Sequence, residues 1–347
     1  MAVGKVRLKD VAERAGVAVN TASTILNRRS NSWASKETEE RVFAAARELK
    51  YRPNRAAVAL QSGKFRTVGL LVADLENPYY THFSTVFGNM VAEQGYDLVI
   101  ESWQSDLERE KKSLEEMVHR NVDGLVLFVS DLEAHREFLE RQSKLGFPIV
   151  VFAMPGESEV PVDVVVPEFS DGLQEAAEFL YELGHRRFSF LAARTRAQRI
   201  GGRPGIFSKH IEGFNDATVE IVDCGPTLGE ARDVGRLILE KENRPTAIVA
   251  LNDYTAIGVI RAAIQMGLNV PRDVSVVGID GIPIGEHLMV SISTLVQNYK
   301  GMAAKAVEFL MDRIDGEEDH KPRRADFPAV YIQRDSVGPV HHEGGLD

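Results

Sequence analysis

The chain is poor in cysteine and tryptophan, with one and two residues respectively among 347. A lone Cys224 excludes an intrachain disulfide framework and any metal site built from several cysteines. No apolar run approaches the ~18 residues that a membrane span needs. The first residues carry no apolar stretch of the signal-peptide kind, so a reducing, cytoplasmic setting is expected. The histidines do not fall at metal-ligand spacing. The stretch "IGGRPG" lacks the Lys-Ser/Thr that would make it a phosphate-binding loop, and there is no nucleophile elbow. Neither a cofactor nor a metal is expected. Sustained repeats and low-complexity tracts are missing too.

What is present is an uneven charge. Residues 1–66 hold 14 Lys+Arg against 6 Asp+Glu, whereas the whole chain has a net charge of −10. A small basic end on an acidic body points to a polyanionic partner. The length allows two or three domains with a sizeable core.

Apolar spacing divides the basic end into short helices. Leu8, Val11, Ala12 and Ala15 share one face, and Ala22, Ile25 and Leu26 share another, with a break at Ala15-Gly16. Val42, Phe43, Ala46 and Leu49 form a third helix, entered through Ser35 and stopped by "YRP". A fourth segment, "NRAAVALQSGK", is about two turns long, too short to be stable alone in water.

From Thr67 the pattern changes. Near-continuous apolar strands ("TVGLLVA", "YDLVIES", "DGLVLFV", "PIVVFA", "VDVVV", "RFSFLAA", "TAIVAL", "DVSVVGI") alternate with helical stretches at about 80–94, 107–119, 134–145, 172–183, 229–240 and 254–266. This predicts parallel sheets covered on both faces, and eight strands suit two sheets better than one. A break at "PGESEVPVD" suggests a boundary there. A helix at about 299–313 and the stretch "AVYIQRDSV" follow.

The first two helices have helix-turn-helix proportions. The outer face of the second carries Asn20, Thr21, Ser23, Thr24 and Asn27, all small, uncharged and able to hydrogen-bond. A helix that enters the major groove needs such side chains, because acidic ones would be repelled by phosphate. A packing module with a merely solvated polar face is the competing reading.

The stretches "LKDVAERAGVAVNTASTILN", "SKETEERVFAAARELKYRPNRAAVAL" and "TVGLLVADLENPYY" resemble the LacI-type family of bacterial transcription regulators. The resemblance continues through "LGHRRFSFLA", "PTAIVALNDYTAIGVIRAAIQMGLNVPRDVSVVGID" and "YIQRDSV", nearly the whole chain. It implies a small all-α helix-turn-helix headpiece over 1–53 and a hinge helix with linker over 54–66. A two-lobed α/β core like the periplasmic binding proteins follows over 67–340, with crossovers near 163, 294 and 325. It also implies a homodimer on double-stranded, pseudopalindromic operator DNA at the bacterial nucleoid, with repression the common mode and activation the alternative. No Leu-heptad tail follows residue 340, so a C-terminal zipper is not expected.

By the same resemblance, Val19, Asn20 and Thr24 read bases, while Arg7, Thr21, Ser23 and Asn27 grip phosphates. Leu60 wedges into the minor groove beside Asn54, Arg55 and Ala57, kinking the DNA. Three departures stand out. Ala18 replaces the family's Ser or Thr before the recognition helix, forgoing a cap of about 0.5–2 kcal/mol. Thr24 replaces the commoner Arg or His. The loop "RRSNSW" is longer than usual and adds Arg28 and Arg29 as phosphate contacts.

Ligands collect at the carboxyl ends of parallel strands. "ENPYY", "VSD", "LND" and "GIDG" fall at such ends. Tyr79, Tyr80, Ser130, Asp253 and Asp280 match pocket-lining positions of the family, whose effector is a sugar or sugar derivative. Asp253 has an alternative role as a helix cap. His210 stands where the family places a pocket arginine, leaving Arg199 or Arg203 to substitute, or else an exposed basic loop. Ala153 stands where some relatives carry a ligand-binding Asp. About fifteen residues of the family pattern are missing between "EGF" and the helix at 229, so one pocket wall is rebuilt. An effector-independent regulator, and from a different class a doubly wound α/β enzyme, are the rival readings.

Overall fold

In the computed structural model the described residues are 6–26, 34–51, 63–154, 159–193, 202–316 and 321–341. They form two compact units, residues 1–66 and 67–347.

In the first unit α1 (Leu8–Ala15), α2 (Val19–Leu26) and α3 (Lys36–Glu48) enclose a small core of Val11, Ala12, Ala15, Ala22, Ile25, Val42, Ala45 and Ala46. Gly16 ends α1 with φ 67°, a left-handed conformation that a side chain would strain. Ser35 caps α3 by accepting the Thr38 N–H at 3.3 Å. Arg14 Nη2 joins α1 to Glu48 of α3 at 2.8 Å.

The second unit holds two six-stranded sheets. The first contains β1 (Thr67–Val72), β2 (Asp97–Ser102), β3 (Gly124–Phe128), β4 (Ile149–Phe152), β5 (Asp163–Glu168) and β11 (Arg324–Pro328), in the order β11-β5-β4-β3-β1-β2, all parallel. The second contains β6 (Arg187–Ala192), β7 (Thr218–Asp223), β8 (Ala247–Val249), β9 (Ser275–Asp280), β10 (Ser293–Val296) and β12 (Val330–Ile332), in the order β12-β10-β9-β8-β6-β7, with only β12 antiparallel.

Both faces of each sheet are covered, which is why the strands read as apolar runs. Along β1, Val68, Leu70 and Val72 face α4 (Pro78–Glu93) and α11 (Tyr299–Asp315), whereas Leu71 faces α5 (Leu107–His119) and α6 (Arg136–Lys144). In the second lobe α7 (Ser170–Glu182) and α8 (Arg203–Glu212) cover one face, and α9 (Leu228–Leu239) and α10 (Asp253–Gln265) the other. None of the described helices is long and apolar enough to cross a membrane.

The chain passes between lobes at Phe169, at Gln297-Asn298 and at Ala329. These points lie a few residues beyond the expected 163, 294 and 325. The boundary expected at "PGESEVPVD" is not there, because β5 follows that stretch and still pairs with β4. Asp163 opens β5 and holds the returning chain, accepting from Arg313 and Arg323 at 2.8 Å each.

Three strands and one helix went unexpected, the short β10 among them. β7 is an edge strand with a largely exposed face, and β11 is charged and ends in Pro328. α8 begins within the stretch read as a possible basic loop.

Candidate functional site

The first unit presents a polar helix face. Val19 and Asn20 are exposed at the N-terminal end of α2, while Thr21, Ser23 and Thr24 are half-buried along it. Ala18 contributes only its carbonyl, accepting the Ala22 N–H at 3.0 Å, and has no side-chain oxygen to cap the helix. Thr24 donates its hydroxyl to the Asn20 carbonyl at 2.9 Å. That hydrogen is spent on the helix itself, leaving a methyl group and an acceptor for any contact. Arg7 is exposed before α1, its backbone N–H held by Asp10 Oδ2 at 2.8 Å. Asn27, Arg28, Arg29, Asn54, Arg55, Ala57 and Leu60 lie outside the described residues, and so does Arg199.

In the second unit the carboxyl ends of both sheets meet across a cleft with two adjoining cavities. The inner one measures about 150 Å³ and is walled by Tyr79, Phe128, Phe152 and Phe169, with Arg203 and Asp280 at its polar end. The outer one measures about 450 Å³ and runs past Ser130 and Asp74 to Cys224 and Glu230. Tyr80, Trp103, Asn77, Asn252 and Arg203 border both.

Each wall residue follows from a strand or helix end. Phe128 and Phe152 close β3 and β4, with rings stacked at 4.2 Å. Trp103 follows β2 and donates Nε1 to the Phe128 carbonyl at 3.1 Å. Asn77 and Asn252 cap α4 and α10, with side-chain oxygens accepting from Tyr79 N at 3.0 Å and Thr255 N at 2.8 Å. Arg203 is the first residue of α8, with its guanidinium 5.3 Å from the Phe169 ring centroid.

The polar end is tied to the crossover. Gln297 Nε2 donates to Asp280 Oδ1 at 2.7 Å. The Tyr299 hydroxyl donates to the Asp280 carbonyl at 2.9 Å. Asp280 has φ 120°, a sparsely populated conformation for a side-chain-bearing residue that costs about 1–3 kcal/mol. Burial, with Asp253 nearby, pushes its carboxyl well above the usual carboxylate range, against the opposing pull of Arg203 and Gln297. Burial lowers the Arg203 guanidinium from its ordinary value, a shift opposed by Asp280 and the two tyrosines.

Of the cleft residues named from sequence, Tyr79, Tyr80, Arg203 and Asp280 line the inner cavity and Ser130 the outer one. Asp253 must be corrected. It is fully buried and lines neither cavity. Its Oδ2 accepts from Gly281 N and Ile282 N at 2.8 Å each, and its Oδ1 from Thr294 Oγ1 at 2.5 Å. It does not cap α10 either, since Asn252 does that. A Cβ at Gly278 would stand 2.0 Å from Asp253 Oδ1, so the glycine makes room for the carboxylate. Ser130 faces inward as well as outward, giving its N–H and hydroxyl to the buried Glu110 at 2.7 and 2.5 Å.

The sequence reading missed Asn77, Trp103, Phe128, Phe152, Phe169, Asn252 and Gln297. Most end a strand or directly follow one, so the strand-end rule would have reached them had it been applied to aromatic and amide residues too. No group of His, Cys, Asp and Glu that could hold a metal is found among the described residues.

Comparison with known proteins places both units. Residues 7–54 match the bacterial regulatory proteins of the lacI family, and residues 177–337 match the periplasmic binding protein-like domain. The HTH-type transcriptional repressor PurR of Aliivibrio fischeri is 30% identical over 336 residues, covering 95% of this chain and 98% of the relative. The ribose operon repressor of Halalkalibacterium halodurans is 30% identical over 338 residues, covering 95% and 96%. The lac repressor dimer bound to operator and the anti-inducer ONPF superposes with a TM-score of 0.81 at 23% identity, covering 96% and 99%. A regulator of the same family from Enterococcus faecium, with bound ribose, superposes with a TM-score of 0.69 at 23% identity, covering 79% and 100%.

Proposed function

The chain belongs to the lacI family of bacterial regulatory proteins, and on that premise we propose that its cleft residues set the affinity of its DNA-reading helix. The protein is a sequence-specific DNA-binding regulator, not an enzyme, and it represses transcription as a homodimer on operator DNA. A small-molecule effector modulates it from the cleft between the lobes.

The observation that carries the DNA-reading role is the outer face of α2. Val19 and Asn20 stand exposed at its leading end, and no acidic side chain lies on this helix. Asn20 is suited to adenine and the Val19 methyls to thymine. Arg7, Thr21 and Ser23 hold phosphates, which fix the register without reading sequence. Beyond the described residues, Asn27, Arg28 and Arg29 add phosphate contacts, and Leu60, with Asn54, Arg55 and Ala57 near it in sequence, wedges the minor groove.

An effector acts only through its different affinity for two states of the core. The coupling is reciprocal, so an operator that favours one state changes effector affinity by the same factor. Tyr79, Tyr80, Arg203, Asp280 and the outer Ser130 contact the effector. Asp253 supports the loop that presents Asp280.

The test is an anisotropy titration of the full chain on duplex DNA across salt concentrations. Affinity falls linearly in log–log form, with a slope proportional to the phosphates neutralised. A salt-independent affinity would remove the phosphate-gripping role.

A further inference from the structure

The side chains that line the inner cavity offer a ligand more hydrogen-bond donors than acceptors. Asn77 and Asn252 spend their side-chain oxygens on helix caps, so their amide N–H groups are the ends left for a ligand. Trp103 spends its only donor on a carbonyl, and Gln297 uses both ends within the wall. The Arg203 guanidinium has no hydrogen bond or ion pair among the described residues, only the face of Phe169. Ala153, at the end of the first sheet, brings no acceptor to the wall it forms. One carboxyl remains, that of Asp280, and one of its oxygens is occupied by Gln297.

The space is equally restrictive. A cavity of about 150 Å³ is the size that holds a single six-membered ring, as an engineered apolar cavity of that volume holds benzene. Tyr79, Phe128, Phe152 and Phe169 line this space and give such a ring an apolar, aromatic surround. Among the described residues no group accepts a hydrogen bond from this guanidinium, and a carboxylate that accepts two parallel N–H bonds from it is the geometric match.

We propose that the effector is a single-ring acid whose carboxylate pairs with Arg203 and whose ring lies among the aromatic side chains of the inner cavity. This deepens the effector-cleft reading and rests on it. A neutral sugar would satisfy hydroxyl contacts but bring the guanidinium no counter-charge beyond the neighbouring Asp280. An acid neutralises it, and the amide N–H groups of Asn77 and Asn252 take the remaining acceptors. Two sources share this chemistry, a sugar acid and an aromatic acid.

The experiment uses the full chain and matched pairs differing by one charge: D-glucuronate against D-glucose, D-galacturonate against D-galactose, and 4-hydroxybenzoate against 4-hydroxybenzyl alcohol. Tm shift and calorimetric Kd are the readouts. The proposal expects an acid to bind at least about tenfold tighter than its neutral partner, with affinity falling as salt rises. Uronates responding identifies a sugar ring, and the benzoate responding an aromatic one. Arg203→Gln removes the acid preference, and Arg203→Lys restores part of it. Neutral compounds binding as tightly as acids, or Arg203→Gln leaving the preference intact, overturns the proposal while the cleft stands as an effector site. Silence from the acids and neutral compounds alike counts against both.

Discussion

The Tyr79 hydroxyl, at the leading end of a first-lobe helix, donates to Gln297 Oε1 at 3.2 Å, at the point where the chain leaves the second sheet. Gln297 passes the connection on to Asp280. One amide thus links the two lobes through the polar end of the cavity. Closing or opening the lobes must stretch this chain of bonds, which makes it a place where an effector can be felt.

Gln297→Leu leaves the Tyr79 hydroxyl and the Asp280 carboxyl buried without that partner. The expected loss is about 2–6 kcal/mol, since each of the two unsatisfied buried groups costs about 1–3 kcal/mol. Urea unfolding of Gln297→Leu, Tyr79→Phe and the double variant closes a cycle. Coupling above about 0.5 kcal/mol is expected, and simple additivity would show the bond to be energetically idle.

Asp253 and His185 give opposing pH dependences. Burial pushes the Asp253 carboxyl up to about 7, although Thr294 and two backbone N–H groups pull the other way. Between its ordinary value near 4 and 7, the folded state holds a proton that the unfolded chain has released. Stability from this group therefore falls as pH rises, by up to about 1.4 kcal/mol per pH unit. Burial holds His185 down at about 4, with Nε2 donating to the Gly338 carbonyl at 3.0 Å. Between 4 and 6.5 the unfolded chain takes up that proton and the folded one does not, so stability from this group rises with pH. The two nearly cancel there. Asp253→Asn should make the slope of stability against pH more positive over pH 4–6.5, by up to about 1.4 kcal/mol per pH unit, in denaturant titrations. An unchanged profile would mean that Asp253 is ionised throughout.

On α2, Thr24→Val should change operator affinity by less than about 0.5 kcal/mol, because the Thr24 hydroxyl already bonds the Asn20 carbonyl. Asn20→Ala should relax preference at one base position per half-site, costing about 1–3 kcal/mol on the preferred base. Affinity measured on single-base variants separates the two outcomes. A large loss in Thr24→Val would show that its hydroxyl turns to the DNA instead.

Leu60→Ala should weaken specific binding far more than non-specific binding, since a wedge is useful only where the DNA is kinked. Competition with random duplex gives both affinities, and equal losses would remove the wedge role.

Much of this architecture was legible in the residues. β1, β3 and β4 announce themselves because a strand buried on both faces admits only apolar side chains, as Val68, Leu70 and Leu71 show. β7 and β11 stayed hidden for the converse reason, their exposed faces tolerating Glu220 and Arg324. Within the cleft, Tyr79 and Asp280 carried a signal at strand ends. Asp253 misled, because its place in sequence says nothing of which way the carboxylate turns, and three donors from the loop after β9 and from β10 turn it inward. Gln297 could not be placed, because β10, the strand it follows, is only four residues long and was not expected.

The most direct test of the central claim is selection of duplexes from random DNA by the full chain, followed by the mass of the complex on the recovered site. An enriched pseudopalindrome with two half-sites, bound by two copies of the chain, is the expected result. Recovery of no common sequence, or of a single half-site bound by one copy, would contradict it.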